Sequence, residues 1–290
     1  VPELRDVVPA EQVGKVDLAA TGWRLVGASR RGRLHAHRAE HREDAFAQAA
    51  WRHGWVAAVA DGAGSAVLSR LGAELAVRTL VHEAVTRAVA PGADAPGGLL
   101  AQAMQAAIAR VARVAGHEGV ALRDLRCTLL AACCLRDAAG AERLAIAQVG
   151  DGFVALADRD GTVRRVGAGD AGEFSGEVSC FVPDDCAPGR ATQSVVELPA
   201  DAVRVVLIAS DGVEDPFYPV ERTGPALLAQ LEQGVREPLP GFQRQDAQAA
   251  VLGAGEPAEA LLDWLRFEKR GENDDRTLVV AHRTPRPAQP

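Results

Sequence analysis

The chemistry of this chain is concentrated in acids that stand beside glycine or beside another acid. Four Asp-Gly pairs occur, Asp61-Gly62, Asp151-Gly152, Asp160-Gly161 and Asp211-Gly212, and the acidic pairs Glu43-Asp44 and Asp274-Asp275 flank β-like segments near the two ends of the chain. An Asp-Gly pair is by default a hairpin turn of type I′. Asp160-Gly161 fits that reading, between Ala155-Leu156-Ala157 and Val163-Arg164-Arg165-Val166. The other three follow apolar runs at 55–60, 144–150 and 203–210. A carboxylate at the end of a buried strand must be paired or bind a cation, because desolvating it alone is prohibitive. The glycine after it lets the backbone turn sharply and leaves room for a ligand. Hard oxygen donors of this kind suit magnesium or manganese rather than zinc.

Such acids need rigid elements to bring them together. Runs rich in Val, Ile, Leu and Ala predict strands at 23–29, 55–60, 128–135, 143–149, 153–158, 163–166, 193–198, 203–209 and 277–282. Helical spacing runs from Ser69 to Val89 through Leu71, Leu75, Val81 and Val85, and from Leu99 to Ala115 through Leu100, Met104, Ile108 and Val111. A Pro-Gly-rich break at 91–98 separates these two helices. Later helices are expected over 225–235 and 257–269, each with proline near its first turn. Residues 1–21 read as a loose leader, 22–283 as one domain and 284–290 as a frayed tail. Hairpin-like strand pairs in the middle argue against strict β-α-β alternation and for an α+β layered fold with antiparallel sheet.

Composition narrows the function classes. The chain has 290 residues, 48% hydrophobic and 24% charged, which suits a soluble globular protein rather than a disordered one. No apolar run reaches the roughly 20 residues of a membrane-spanning helix. No membrane partner is expected, and the N-terminal residues do not read as a secretory signal. A net charge of −7 is the wrong sign for a free-standing nucleic-acid binder. The five cysteines, Cys127, Cys133, Cys134, Cys180 and Cys186, show no zinc spacing and read as reduced cytoplasmic thiols.

In order along the chain, the acidic motifs are Glu43-Asp44, Val59-Ala60-Asp61-Gly62-Ala63-Gly64, Gly150-Asp151-Gly152, Ser210-Asp211-Gly212-Val213 and Asp274-Asp275-Arg276-Thr277. This set resembles the metal-dependent protein phosphatases of type 2C, over about residues 23 to 282. The opening Trp23–Ser29 with His35, and Cys127–Ala131, are similar to a bacterial branch of that family. The resemblance implies a four-layer α-β-β-α sandwich, two antiparallel sheets flanked by helices, with a two-metal site at one end. Asp61 would bridge two Mg or Mn ions. Glu43 and the Gly62 carbonyl would complete one, and Asp211 and Asp274 would hold the other. Asp44 would orient the attacking water, and Asp151 matches an Asp that helps hold a third, weaker metal in some members. The implied activity is hydrolysis of phosphoserine or phosphothreonine in proteins without a covalent intermediate, with Asp44, Asp61 and Asp211 as the catalytic set. The implied partner is a phosphorylated protein substrate of a bacterial serine/threonine kinase.

Departures from the family pattern leave other readings open. Ala39 occupies the position of the phosphate-gripping arginine, so Arg38 and Arg42 are the nearest substitutes and Arg33 a third. Each is equally readable as a solvated surface arginine. Ala63 replaces a His that serves some members as a candidate general acid. The altered first motif supports a non-catalytic regulatory domain that binds a phosphoprotein, and hydrolysis of a small phosphorylated metabolite is a third reading. His35, His37 and His41 read as surface histidines, the first two on one strand face. The polar stretch 169–189 reads as a loop.

Overall fold

Side chains alternating along the strands sort the molecule into four layers. The computed structural model describes residues 10–18, 22–90, 95–137, 139–167, 180–183 and 195–283. Its strands are β1 (Glu11–Leu18), β2 (Trp23–Arg30), β3 (Ala45–Trp51), β4 (Gly54–Ala60), β5 (Leu129–Arg136), β6 (Glu142–Val149), β7 (Phe153–Asp158), β8 (Val163–Val166), β9 (Val196–Pro199), β10 (Val203–Ala209), β11 (Phe242–Arg244), β12 (Glu268–Lys269) and β13 (Arg276–Arg283). The helices are α1 (Arg33–His37), α2 (Ser69–Ala88), α3 (Pro96–Glu118), α4 (Asp211–Glu214), α5 (Val220–Gln233) and α6 (Pro257–Trp264). One sheet has the order β1-β2-β13-β10-β7-β8 and the other β3-β4-β5-β6-β9. All their pairings are antiparallel.

On β4, Val56, Ala58 and Ala60 pack with α2 and α3, while Trp55, Ala57 and Val59 face the other sheet. On β10, Val205, Leu207 and Ala209 pack with α5 and α6, while Val206 and Ile208 point between the sheets. With both faces covered, the central strands read as continuous apolar runs although their pairing is antiparallel. Trp23 and Trp55 meet in the middle with ring centroids 5.4 Å apart.

The structure corrects several expectations. Residues 11–18, expected in a loose leader, form edge strand β1. Its outward Glu11, Lys15 and Asp17 are exposed, and charge at an edge discourages pairing with another chain. Gly14 and its partner Gly27 lie over Phe46, and a Cβ on Gly27 would overlap that ring. Strand β3 is absent from the expected set, because Ala-Phe-Ala-Gln-Ala-Ala-Trp has little β preference of its own and is held by its ladder to β4. On α2, Leu71 and Val81 are buried as expected, whereas Leu75 and Val85 are only partly covered and Ala73, Ala76, Val77, Leu80 and Ala84 complete the buried face. Small alanines let this helix lie close to the sheet. Pro225 lies inside α5 rather than near its start.

At Asp160-Gly161 only the glycine has positive φ, and the Gly161 N–H donates to the Asp158 carbonyl at 3.1 Å. The connection is therefore a type I turn closed by a glycine bulge, not type I′. Cys180 is disulfide-bonded, which corrects the expectation of five reduced thiols. An odd count requires only that one cysteine stay unpaired, so it does not exclude a bridge. Cys127, Cys133 and Cys134 are free and buried. Cys186 and most of the 169–189 loop lie outside the described residues, as does the 284–290 tail.

His282 on β13 is buried, and burial followed by the Arg24 charge lowers its pKa to about 4. Between about pH 6.5 and 4 the unfolded chain takes up a proton that the folded state refuses, so stability falls as pH falls through that window. The contribution is about 3 kcal/mol at most. His282→Gln is expected to reduce the stability lost between pH 7 and 4.5, measured by urea unfolding. An unchanged loss would show that His282 takes up its proton in the folded state.

Candidate metal centre

Antiparallel register gathers the acids at one end of the sandwich. Strands β4, β6 and β10 run towards that end and are followed by Asp61, Asp151 and Asp211. Strands β3 and β13 run away from it and begin just after Glu43-Asp44 and Asp274-Asp275. Ala45 pairs with Ala60, and Ala209 pairs with Leu278, so these starts and ends coincide.

Each acid is fixed locally. The Asp61 N–H donates to Thr128 Oγ1 at 2.9 Å, and the Thr128 N–H returns a bond to the Asp61 carbonyl at 2.8 Å. Gly62 is required by close approach, since a Cβ there would press on Ser69 and Glu43. Around Asp151, Gly150 and Gly152 adopt φ of 89° and 81°. Gln148 Nε2 donates to both of their carbonyls, at 3.1 and 3.0 Å. Arg165 donates to the Gly152 carbonyl at 2.8 Å and pairs with Glu214. Asp44 Oδ2 accepts from Ser210 Oγ at 2.8 Å and Thr277 Oγ1 at 2.6 Å. Asp275 ties the β2–β3 connection to β13, its two oxygens accepting from the Gly32 N–H at 2.6 Å and the Glu43 N–H at 2.5 Å.

A cavity of about 710 Å³ opens over this end, lined by Glu43, Asp61, Asp151, Asp211 and Asp274. Burial, then the neighbouring Asp211 and Asp44 charges, hold Asp61 well above the usual carboxylate range. Asp211 is raised in the same way, chiefly by burial. Burial and the Asp275 charge raise Asp44 to about 7, and burial with Asp215 and Asp274 raises Asp151 to about 6. The cluster therefore disfavours its own charge.

Glu43 Oε2, Asp44 Oδ1 and Asp211 Oδ1 are buried oxygens without a hydrogen-bond partner. Folded proteins rarely leave such atoms unpaired. Facing carboxylate oxygens and a free backbone carbonyl suit a hard divalent cation. The residues present fit the Mg or Mn pair.

The expected acids, Glu43, Asp44, Asp61, Asp151, Asp211 and Asp274, and Gly62 all come to this end. Arg42 does not face the cavity. It is 1% exposed and donates to Ser29 Oγ, the Asp44 carbonyl and Gln12 Oε1, at 2.5, 2.6 and 3.1 Å. Arg38 lines the cavity, and Arg33 pairs with Glu268 at 2.9 Å. His35 is on helix α1, not a strand. Its Nδ1 lies 3.0 Å from Asp275 Oδ1, and that contact is the main cause of a pKa raised to about 9. Its ligand atoms and those of Asp274 and Asp275 lie within 4.8 Å of one another. His37 and His41 are exposed, as expected of surface histidines. Sequence reasoning misses the supporting roles of Thr128, Ser210, Thr277 and Asp275. Only the position of Asp275 in an acidic pair and of Thr277 in the last motif hints at them.

The protein phosphatase 2C family model matches residues 31–265. Among solved structures, the Mycobacterium tuberculosis serine/threonine phosphatase PstP/Ppp is 17% identical, with a TM-score of 0.56 over 90% of this chain and 98% of that one. The catalytic domain of PstP in complex with two manganese ions is 21% identical, with a TM-score of 0.56 over 90% and 97%. Staphylococcus aureus Stp1 is 12% identical, with a TM-score of 0.56 over 90% and 95%. No curated protein matches the chain by sequence. Fold and acids together define a metal-dependent phosphohydrolase of the sandwich type. The chain belongs to the protein phosphatase 2C family. It is accordingly a serine/threonine protein phosphatase whose cofactor is Mg or Mn.

Asp160→Asn tests the one Asp-Gly pair outside this site. Its carboxylate accepts the Thr162 N–H at 3.0 Å at the far end of the β7–β8 hairpin. Turnover and manganese affinity are expected to stay within twofold (about 0.4 kcal/mol) of the parent by kinetics and calorimetry. A tenfold loss would mean that the site extends to that turn.

Proposed function

We propose that Glu43, Asp61 and the Gly62 carbonyl hold one divalent cation, that Asp61, Asp211 and Asp274 hold the second, and that Asp151 supports a weaker third. The observation that carries this assignment is the pair of unpartnered buried oxygens on Glu43 and Asp211, both of which line one cavity with Asp61 and Asp274. Bound there, the cations supply Lewis acidity that acidifies water and neutralises charge on a phosphoryl group. Asp61 and Asp211 present their carboxylates from strand ends that cannot shift without breaking the ladders. Asp44 is locked by Ser210 and Thr277, so its remaining oxygen is held ready to accept a water proton. Cys127, Cys133 and Cys134 are fully covered, and burial raises their pKa values, so none of these three serves as an attacking thiolate.

The substrate on this reading is a phosphoserine or phosphothreonine protein, the product of a bacterial serine/threonine kinase, and the role is in signalling. Among the described residues no helix is long and apolar enough to cross a membrane. The compartment assigned with the kinase is the cytoplasm, although bridging at Cys180 favours an oxidising one. The regulatory alternative rests on the altered first motif, and Arg42 has a structural occupation instead. Manganese-dependent phosphate release from a phosphothreonine peptide, abolished by a chelator, is the expected result. Manganese binding without turnover of that peptide would overturn the reading and return the regulatory one.

A further inference from the structure

Arg70 stands on the first turn of α2, just after the loop that carries Asp61 and Gly62. Its neighbour Ser69 packs closely on Gly62, where an added Cβ would lie 2.7 Å from Ser69 Cβ and 3.0 Å from Glu43 Cβ. That first turn is clamped. The Leu68 N–H donates to the Asp124 carbonyl at 2.8 Å, and the Ala63 N–H to the Arg126 carbonyl at 3.0 Å. Gly72 packs directly on the Leu125 carbonyl, with no room for a side chain. The base of the Arg70 side chain is therefore held at a fixed distance from the acids.

Arg70 lines the cavity together with Asp61, Asp211 and Asp274. Its Nε is buried and has no partner, and Arg70 forms no ion pair among the described residues. The other arginines around the site are occupied. Arg42 is spent on Ser29, Gln12 and the Asp44 carbonyl, and Arg165 on Glu214 and the Gly152 carbonyl. Arg38 sits at the cavity mouth, 57% exposed and 3.9 Å from Glu40. An arginine that faces a cavity full of carboxylates and pairs with none of them has its planar fork free for an anion. Guanidinium matches phosphoryl oxygens with two parallel hydrogen bonds.

We propose that Arg70 is the residue that grips the substrate phosphoryl group, supplied from helix α2 in place of the arginine missing at Ala39. The inference rests on the phosphatase reading for its substrate, but its test does not depend on turnover. Inorganic phosphate is titrated calorimetrically into manganese-loaded protein. Arg70→Ala is expected to weaken phosphate about 10–100-fold, with manganese affinity unchanged. Arg70→Lys, which keeps the charge but loses the fork, is expected to fall between the two and covers the case in which the alanine variant does not fold. Arg38→Ala is expected to lose less than Arg70→Ala. Arg78→Ala, two turns further along the same helix and paired with Glu74, controls for the charge change. Parental phosphate affinity in Arg70→Ala, a larger loss in Arg38→Ala, or no phosphate binding by the parent would each overturn the assignment. Loss of phosphate affinity in a protein that turns over no phosphopeptide would keep Arg70 as an anion site and sink the phosphatase reading alone.

Discussion

Asp61→Asn is expected to leave a folded protein that binds manganese about 100-fold more weakly and has lost nearly all turnover. Even groups that only orient metal ligands cost 10–100-fold in affinity, and Asp61 is proposed above to serve both cations. Without metal the sign reverses. In the apo protein the folded state holds protons on Asp61 and Asp211 that the unfolded chain releases near its ordinary carboxylate pKa. Stability from that source is present at low pH and is lost as pH rises through the raised folded-state values. Asp61→Asn removes one of the repelling charges, so the apo variant is expected to melt higher than the apo parent at pH 7. Manganese should raise the melting temperature of the parent and barely that of the variant, because stabilisation follows ligand affinity. Melting scans with and without manganese check both halves. A variant stabilised by manganese as strongly as the parent would remove Asp61 from the centre.

Arg42→Ala is expected to act on stability rather than on substrate binding. The guanidinium joins Gln12 of β1, Ser29 of β2 and the carbonyl of Asp44 just before β3, so it links the two sheets behind the site. Removing it leaves the buried Ser29 hydroxyl and Asp44 carbonyl without this donor, and each buried acceptor left unsatisfied costs about 1–3 kcal/mol. Arg42→Lys should not restore the loss, since an ammonium lacks the fork that reaches three acceptors. Urea unfolding gives the stability, and the KM of whatever remains folded separates the two roles. Parental stability with a raised KM would make Arg42 a substrate-binding residue after all.

These two residues mark the boundary between local and spatial information. Asp61 is legible because an acid set after six apolar residues and before glycine must be paired or bind a cation. Arg42 is not, because the same arginine next to an acidic pair suits a cavity wall or a core, and only the packing of β1, β2 and β3 chooses. His35 escapes the sequence for a related reason. Its spacing from His37 suggests a strand face, whereas a five-residue helix turns it inwards onto Asp275.

The sequence by itself determined the strands whose two faces are both buried, the two long helices and the order of the acids. Those signals are local: apolar runs of strand length, helical spacing, and Asp before Gly. Tertiary structure decided what depends on a partner distant in the chain. Strand β3 is alanine-rich and exists through its ladder to β4, and edge strand β1 through its ladder to β2. Asp44 is held by Ser210 and Thr277, more than 160 residues away. The free guanidinium of Arg70 belongs to the same class. Nothing around it in sequence distinguishes it from Arg78, and the difference is that one first turn is clamped against the acid cluster while the other arginine points to water.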